Sequence, residues 1–212
     1  MKYRNILFDF DGTLVDSSAA IRETINATLK IHGLDNISSI VKGTRTRHAY
    51  QRFADTINPD TLRETHKSIQ HQFFPKYSIF PDVASVLQQL KDRGCRLAII
   101  TTANRPKVIE LLKIFNIYHL FDTIVAESDV TNTKPDIEPF IKAFANLKLT
   151  DSDKPHTLMV GDSDADFVGA QNFNIDVVAV TYSTFDDSPE EYNSTYTIDK
   201  FTELLPIVGG SP

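Results

Sequence analysis

Cysteine is nearly missing from this chain. Cys95 is the only one in 212 residues, so no internal disulfide staples the fold and no thiolate cluster holds a metal. The six histidines (His32, His48, His66, His71, His119 and His156) are scattered, which argues against a zinc site built on imidazoles. Positive charge is short as well: 22 Lys and Arg stand against 28 Asp and Glu, a formal net charge of -6. A chain without a basic face does not bind nucleic acid or anionic membranes broadly. No apolar run approaches the length of a membrane span. The opening MKYRNILFDFDG lacks the long apolar core of a signal peptide. Internal repeats and low-complexity tracts are absent, and the final GGSP reads as a frayed tail. These absences describe a cytoplasmic protein, read here as a monomer or weak homodimer. With 41% hydrophobic and 24% charged residues, the composition is that of an ordinary globular chain.

What is present alternates. Apolar, β-rich runs occur at residues 3–8, 95–100, 122–126, 156–160 and 176–180, with a weaker one at 194–198. Most are continuous in apolar character, as in strands buried on both faces. Between them, Val83, Val86, Leu87 and Leu90 keep helical spacing, as do Val108, Leu111, Leu112 and Phe115, and Ile137, Phe140, Ile141 and Phe144. Pro106 and Pro139 stand near helix starts, where a missing N–H costs little. The pattern predicts an α/β fold, a parallel Rossmann-like sheet with helices on both faces. From residue 16 to 79 no convincing strand appears. Stripes there (Ile21, Ile25, Leu29; Tyr50, Phe53, Ile57; Leu62, Ile69, Phe73) read as helices, with Asp16, Ser17 and Ser18 as N-cap chemistry for the first. That length is too great for a crossover. The reading is a small helical cap domain at 16–79 inserted into a core of residues 1–15 and 80–212.

Chemistry collects where the strands end. In ILFDFDGTLVDS, Asp9 and Asp11 lie two residues apart and lean to one side of their strand. An Asp-Gly turn accounts for such a pair taken alone. In a parallel sheet, however, ligands bind beyond the carboxyl ends of the strands. The other strand ends deliver Thr101 and Thr102, then Lys134 in TNTKPD, then Asp162, Asp164 and Asp166 in VGDSDAD. Two carboxylates about 4 Å apart repel by roughly 4 kcal/mol at an effective dielectric near 20. A hard divalent cation relieves this, and few carboxylates with open positions suit Mg²⁺ better than a Ca²⁺ cage. Metal, hydroxyl and ammonium together suit a phosphoryl group. With no cysteine or histidine in the set, a carboxylate is the natural nucleophile.

DFDGTLVDS, a strand ending in Thr101, KPD at 134–136 and GDSDAD at 161–166 resemble the four ordered motifs of the haloacid dehalogenase-like hydrolase superfamily. The nearest branch is that of the phosphoglycolate phosphatases, with pyrophosphatase-type members nearby. The resemblance spans essentially the whole chain and implies a Mg²⁺-dependent phosphatase acting on a small phosphorylated metabolite. It implies that Asp9 attacks phosphorus and forms an aspartyl-phosphate, while Asp11 handles protons. Thr101 and Lys134 hold the phosphoryl group, with Gly12, Thr13 and Thr102 beside it. The metal falls to Asp9, the Asp11 backbone carbonyl and Asp162, with Asp166 supporting. Asp164 matches no required position. Two departures stand out: Ala103 and Asn104 follow Thr101-Thr102 where relatives place an asparagine directly, and Phe80-Pro81-Asp82 replaces Tyr-Pro-Gly. In the cap, Arg45 and Arg47 of VKGTRTRHAYQ are candidates to meet an anionic substrate tail. Pyrophosphate hydrolysis and phosphosugar mutase activity remain open within the family. A receiver-type signalling phosphoacceptor shares the ingredients, but lacks a proton-handling acid two residues after the nucleophile and carries no cap.

Overall fold

The computed structural model describes residues 1–38, 46–185 and 194–209, the side chains of 46–48 excepted. In chain order the elements are β1 (Asn5–Phe8), β2 (Val15–Asp16), α1 (Ser18–Ile31), α2 (Thr46–Gln51), α3 (Pro59–Ile69), β3 (Ser78–Ile79), α4 (Val83–Asp92), β4 (Arg96–Ile100) and α5 (Arg105–Ile114). They continue as β5 (Thr123–Val125), α6 (Glu138–Leu147), β6 (Thr157–Gly161), α7 (Asp164–Asn172), β7 (Asp176–Val180), β8 (Tyr196–Ile198) and α8 (Leu204–Gly209).

The continuous apolar runs become a six-stranded sheet in the order β5-β4-β1-β6-β7-β8, every neighbouring pair parallel. Strand alternation sorts the side chains onto two faces. Ile6, Phe8, Leu97, Ile99, Leu158, Val160, Val178 and Val180 face one way, where Val86 and Leu90 of α4, Leu111 of α5 and Leu204 of α8 cover them. Leu7, Ala98, Ile100, Met159, Val177 and Ala179 face the other, under Phe140 and Phe144 of α6 and Phe167 and Ala170 of α7. This is the α/β sandwich the alternation predicts. β1 lies in the middle, paired to β4 and β6, so the end of the first motif opens at the centre of the sheet edge.

Between β1 and β4 the chain makes a helical insertion. Ile25 and Leu29 of α1, Ile37, Tyr50 of α2 and Leu62 of α3 form its own apolar cluster. Asn58 caps α3 by accepting from the Asp60 N–H at 2.9 Å, with Pro59 as the first helical residue. Three local expectations are corrected. The stripe Tyr50, Phe53, Ile57 is not one helix, because α2 ends at Gln51 and turns follow. Phe73 lies beyond α3 in a 3-10 run, Gln70–Lys76, that contains Pro75. Ser17 stands at the N-cap of α1, yet its φ and ψ of -123° and -5° bring no side-chain cap and its Oγ is buried without a partner among the described residues. A short antiparallel pair also appears where no strand was expected: Val15 opposes Ile79 and Asp16 opposes Ser78. Two residues are too few for a period of two to show in sequence, yet this pair joins both linkers of the insertion. Among the described residues no helix is long and apolar enough to cross a membrane.

Candidate active site

Asp9 follows β1 directly and its backbone N–H donates to Val160 O of β6 at 2.9 Å, which fixes its place between two strands. Its carboxylate is buried. Lys134 Nζ reaches it at 2.7 Å, and the same ammonium donates to Asp166 Oδ1 at 2.6 Å and to the Ile100 carbonyl at 2.7 Å. All three donors of the lysine are thereby used in one buried place. Asp166 is held at its other oxygen by the Ser163 hydroxyl at 2.7 Å and by the Ser163 backbone N–H at 3.2 Å, at the start of α7. Ligand atoms of Asp9, Asp162 and Asp166 lie within 4.8 Å of one another, all three residues buried. Three carboxylates against one ammonium leave an excess of negative charge that a divalent cation balances. The donor set is all oxygen, so the residues fit Mg²⁺.

The electrostatics agree with the geometry. Burial pushes Asp9 well above the usual carboxylate range; Lys134 opposes this, while the charges of Asp166 and Asp11 add to it. Burial pulls Lys134 down, but Asp166 and Asp9 outweigh it and hold the ammonium above its ordinary value. Two glycines keep the carboxylates close. Gly12 has φ +87°, and a Cβ there would land on Asp162 Oδ2. A Cβ on Gly161 would collide with the Asp166 carboxylate.

The remaining expected residues are distributed around this centre. Asp11 sits on the outer side, both oxygens of its carboxylate receiving Lys107 Nζ at 3.0 and 2.9 Å. Thr101 caps the end of β4, its Oγ1 accepting from the Ala103 N–H at 3.0 Å. Thr102 lines a cavity that Asp11 also borders. Thr13 is wholly buried; its carbonyl accepts from Tyr182 and its Oγ1 has no hydrogen-bond partner among the described residues. Asp164 is exposed. Arg45 and the side chain of Arg47 lie outside the described residues.

The two departures from the motif pattern also find places. Asn104 is the N-cap of α5, accepting from the Lys107 N–H at 3.0 Å, and its amide donates to Gln70 of the insertion at 3.1 Å. Asp82 takes φ +64°, the left-handed backbone that favours glycine at that point.

Residues not singled out from sequence complete the surroundings. Lys107 lies in the first turn of α5, buried, between Asp11 and the rings of Phe10 and Tyr77. Burial alone would lower its ammonium, yet Asp11 and Tyr77 raise it. Ser183, in the loop after β7, donates to Asp162 Oδ2 at 2.7 Å. The one available signal for Lys107 is its position, at the start of the helix that follows Thr101-Thr102; Ser183 has none, because it stands well beyond the other motifs in the chain.

Against this geometry the comparisons are decisive. A family model described as haloacid dehalogenase-like hydrolase matches residues 6–180. The chain belongs to that family. A curated relative, "Pyrophosphatase PpaX" of Oceanobacillus iheyensis, is 33% identical over 100% of this chain and 99% of its own length. Among solved structures, a haloacid dehalogenase-like hydrolase of Bacteroides fragilis superposes with a TM-score of 0.85 at 27% identity, covering 96% of this chain and all of that one. A structure titled as a predicted phosphoglycolate phosphatase, from Haemophilus somnus, gives 0.83 at 25% identity over 98% of each chain. The family and branch expected from the four motifs are thus borne out. The protein is a haloacid dehalogenase-like hydrolase with an oxygen-lined site at the carboxyl edge of its sheet.

Proposed function

We propose that this hydrolase is a Mg²⁺-dependent phosphatase that cleaves a small phosphate ester or pyrophosphate through an aspartyl-phosphate on Asp9. The observation that carries the reading is the buried group of Asp9, Asp162 and Asp166, bracketed by Lys134. Asp9, Asp162 and the Asp11 backbone carbonyl would hold the ion. Asp166 supports from behind, since both of its oxygens already receive donors. When bound, the cation supplies charge neutralisation for the phosphoryl oxygens and for the crowded carboxylates.

The chain's own residues then divide the work. A carboxylate oxygen of Asp9 forms the new P–O bond while the bond to the leaving oxygen breaks in line. Lys134 holds Asp9 in place through its ion pair and offsets charge beside the transferring group. Thr101 and Thr102 offer hydroxyl and backbone donors to the phosphoryl oxygens, alongside Gly12 and Thr13. Asp11 borders the cavity where the leaving group must sit. It gives that oxygen its proton and later takes one from the water that hydrolyses the phosphoenzyme. Lys107, donating to both of its oxygens, fixes the direction of that carboxylate. The insertion over residues 16–79 serves as the cap that shields these steps from bulk water. We place the reaction in the cytoplasm, on a small phosphorylated metabolite.

The test is an initial-rate screen of pyrophosphate, 2-phosphoglycolate and hexose phosphates with Mg²⁺ and with chelator. Acid-quenched labelling of the protein accompanies it. Mg²⁺-dependent phosphate release, with label lost in Asp9→Asn, is the expected result. Label that persists for minutes would sink the hydrolase mechanism in favour of a signalling acceptor. Transfer of label to a sugar hydroxyl, without phosphate release, would make the protein a mutase.

A further inference from the structure

A cavity of about 70 Å³ lies between the insertion and the sheet edge, next to Asp11. Its wall on the insertion side includes Arg63, His66 and Gln70, and its wall on the core side Thr102, Lys107 and Glu127. By the ~10–15 Å³ that one water needs, it admits about five water-sized groups. That is room for an orthophosphate or a two-carbon acid.

Two fixed cations face this space from opposite walls. Lys107 comes from the core, already paired with Asp11. Arg63 comes from α3, and its bonding is incomplete. Its Nη2 donates to Glu127 at 3.0 Å, its Nη1 stands 3.6 Å from Asp60, beyond hydrogen-bond reach, and its Nε is buried with no acceptor among the described residues. A guanidinium carries five N–H donors in a planar fork made for bidentate anions. Glu127, a carboxylate held at this wall, shows the geometry such an anion meets. His66 between them records their combined field: burial first, then the charges of Lys107 and Arg63, holds its imidazole down to about 3. It stays neutral, its Nδ1 beside the Tyr50 hydroxyl at 2.8 Å, and does not compete for the cations' charge.

We infer that Arg63 is a specificity-determining residue, reading a second negative group on the leaving side of the substrate and selecting a compact dianionic-type ester or pyrophosphate over neutral alcohol phosphates. The inference rests on the phosphatase reading above and deepens it by naming the substrate class. It places an anion contact on α3, whereas Arg45 and the side chain of Arg47 lie outside the described residues.

The test compares kcat/KM for 2-phosphoglycolate with that for 2-hydroxyethyl phosphate, which has the same length but no carboxylate, in wild type, Arg63→Gln, Arg63→Lys and Glu127→Gln. Wild type favours phosphoglycolate. Arg63→Gln lowers the ratio about 10- to 100-fold, chiefly through KM, and Arg63→Lys restores part of it. Glu127→Gln, which removes a competing carboxylate, raises the ratio. A mere latch between insertion and core would instead make Arg63→Gln and Glu127→Gln change in the same direction, and that outcome overturns the inference. So does turnover of both esters with a ratio unmoved by Arg63→Gln. If wild type releases phosphate from neither ester nor from pyrophosphate, the phosphatase reading itself falls, and the inference with it.

Discussion

The rim of the sheet and the helical insertion face each other across one small cavity, yet they are built on opposite plans. At the rim, each side chain is held by strand geometry and by several partners at once. Lys134 alone ties Asp9, Asp166 and Ile100 together, and Gly12 and Gly161 leave no slack for the carboxylates. The insertion rests on a modest cluster around Ile25, Leu29, Tyr50 and Leu62 and meets the core through separate contacts such as Arg63–Glu127 and Gln70–Asn104. A site that must stabilise developing charge needs preorganised groups. A site that must admit and release different molecules needs a wall that can part from it. Under the proposed function, the rim meets the first demand and the insertion the second.

The sharpest way to break that contrast is to remove Asp9, the proposed nucleophile. Asp9→Asn is expected to lower kcat by about 10⁴-fold or more while leaving the folded state in place, because Lys134 keeps Asp166 as its ion-pair partner; steady-state rates beside a thermal melt check both halves. Asp11→Asn is expected to cost about 10²- to 10³-fold in kcat. Its loss is smaller for a substrate whose leaving group needs no proton, such as p-nitrophenyl phosphate, and an equal loss on both substrates would contradict the proton role.

In the insertion the expected effects shift from rate to stability. Leu62→Ala, at a wholly buried position, is expected to cost about 2–4 kcal/mol by transfer and cavity terms, read from urea unfolding, and to raise KM through its neighbour Arg63. The smallest effect is a pH dependence. The folded protein keeps His66 unprotonated down to about 3, against 6.5 for an ordinary imidazole, so below that ordinary value the unfolded chain binds the proton that the folded one refuses. His66 therefore takes stability away as pH falls, by up to ~1.4 kcal/mol per pH unit. His66→Gln should flatten the fall of the melting temperature between about pH 6.5 and 4.5; an unchanged slope would show that His66 does not contribute.

How much of this was legible in the sequence follows the same division. The strands and their order of chemistry were readable because each is written in contiguous residues: the apolar runs at 95–100 and 156–160 contain the observed Arg96–Ile100 and most of Thr157–Gly161. Asp9, Thr101, Lys134 and Asp162 follow strand ends, where a parallel sheet gathers what its loops carry. The stripe from Tyr50 to Ile57 misled because three apolar residues at helical spacing also fit a short helix followed by turns. Lys107 reads as one more charged helix residue until Asp11 is brought beside it, and Arg63 and Glu127 are two surface charges until α3 is laid against the loop after β5.

Sequence alone determined the α/β sandwich, the set of carboxylates at its edge and the family, because strand periodicity and strand-end placement are local properties that neighbouring residues impose on one another. Only the tertiary structure decided which cation holds which acid, that Ser183 supports Asp162, and that Arg63 and Asp11 line one cavity. Those pairings join residues from separate crossovers. They are set by how helices and loops dock on the finished sheet, which no single stretch of chain encodes.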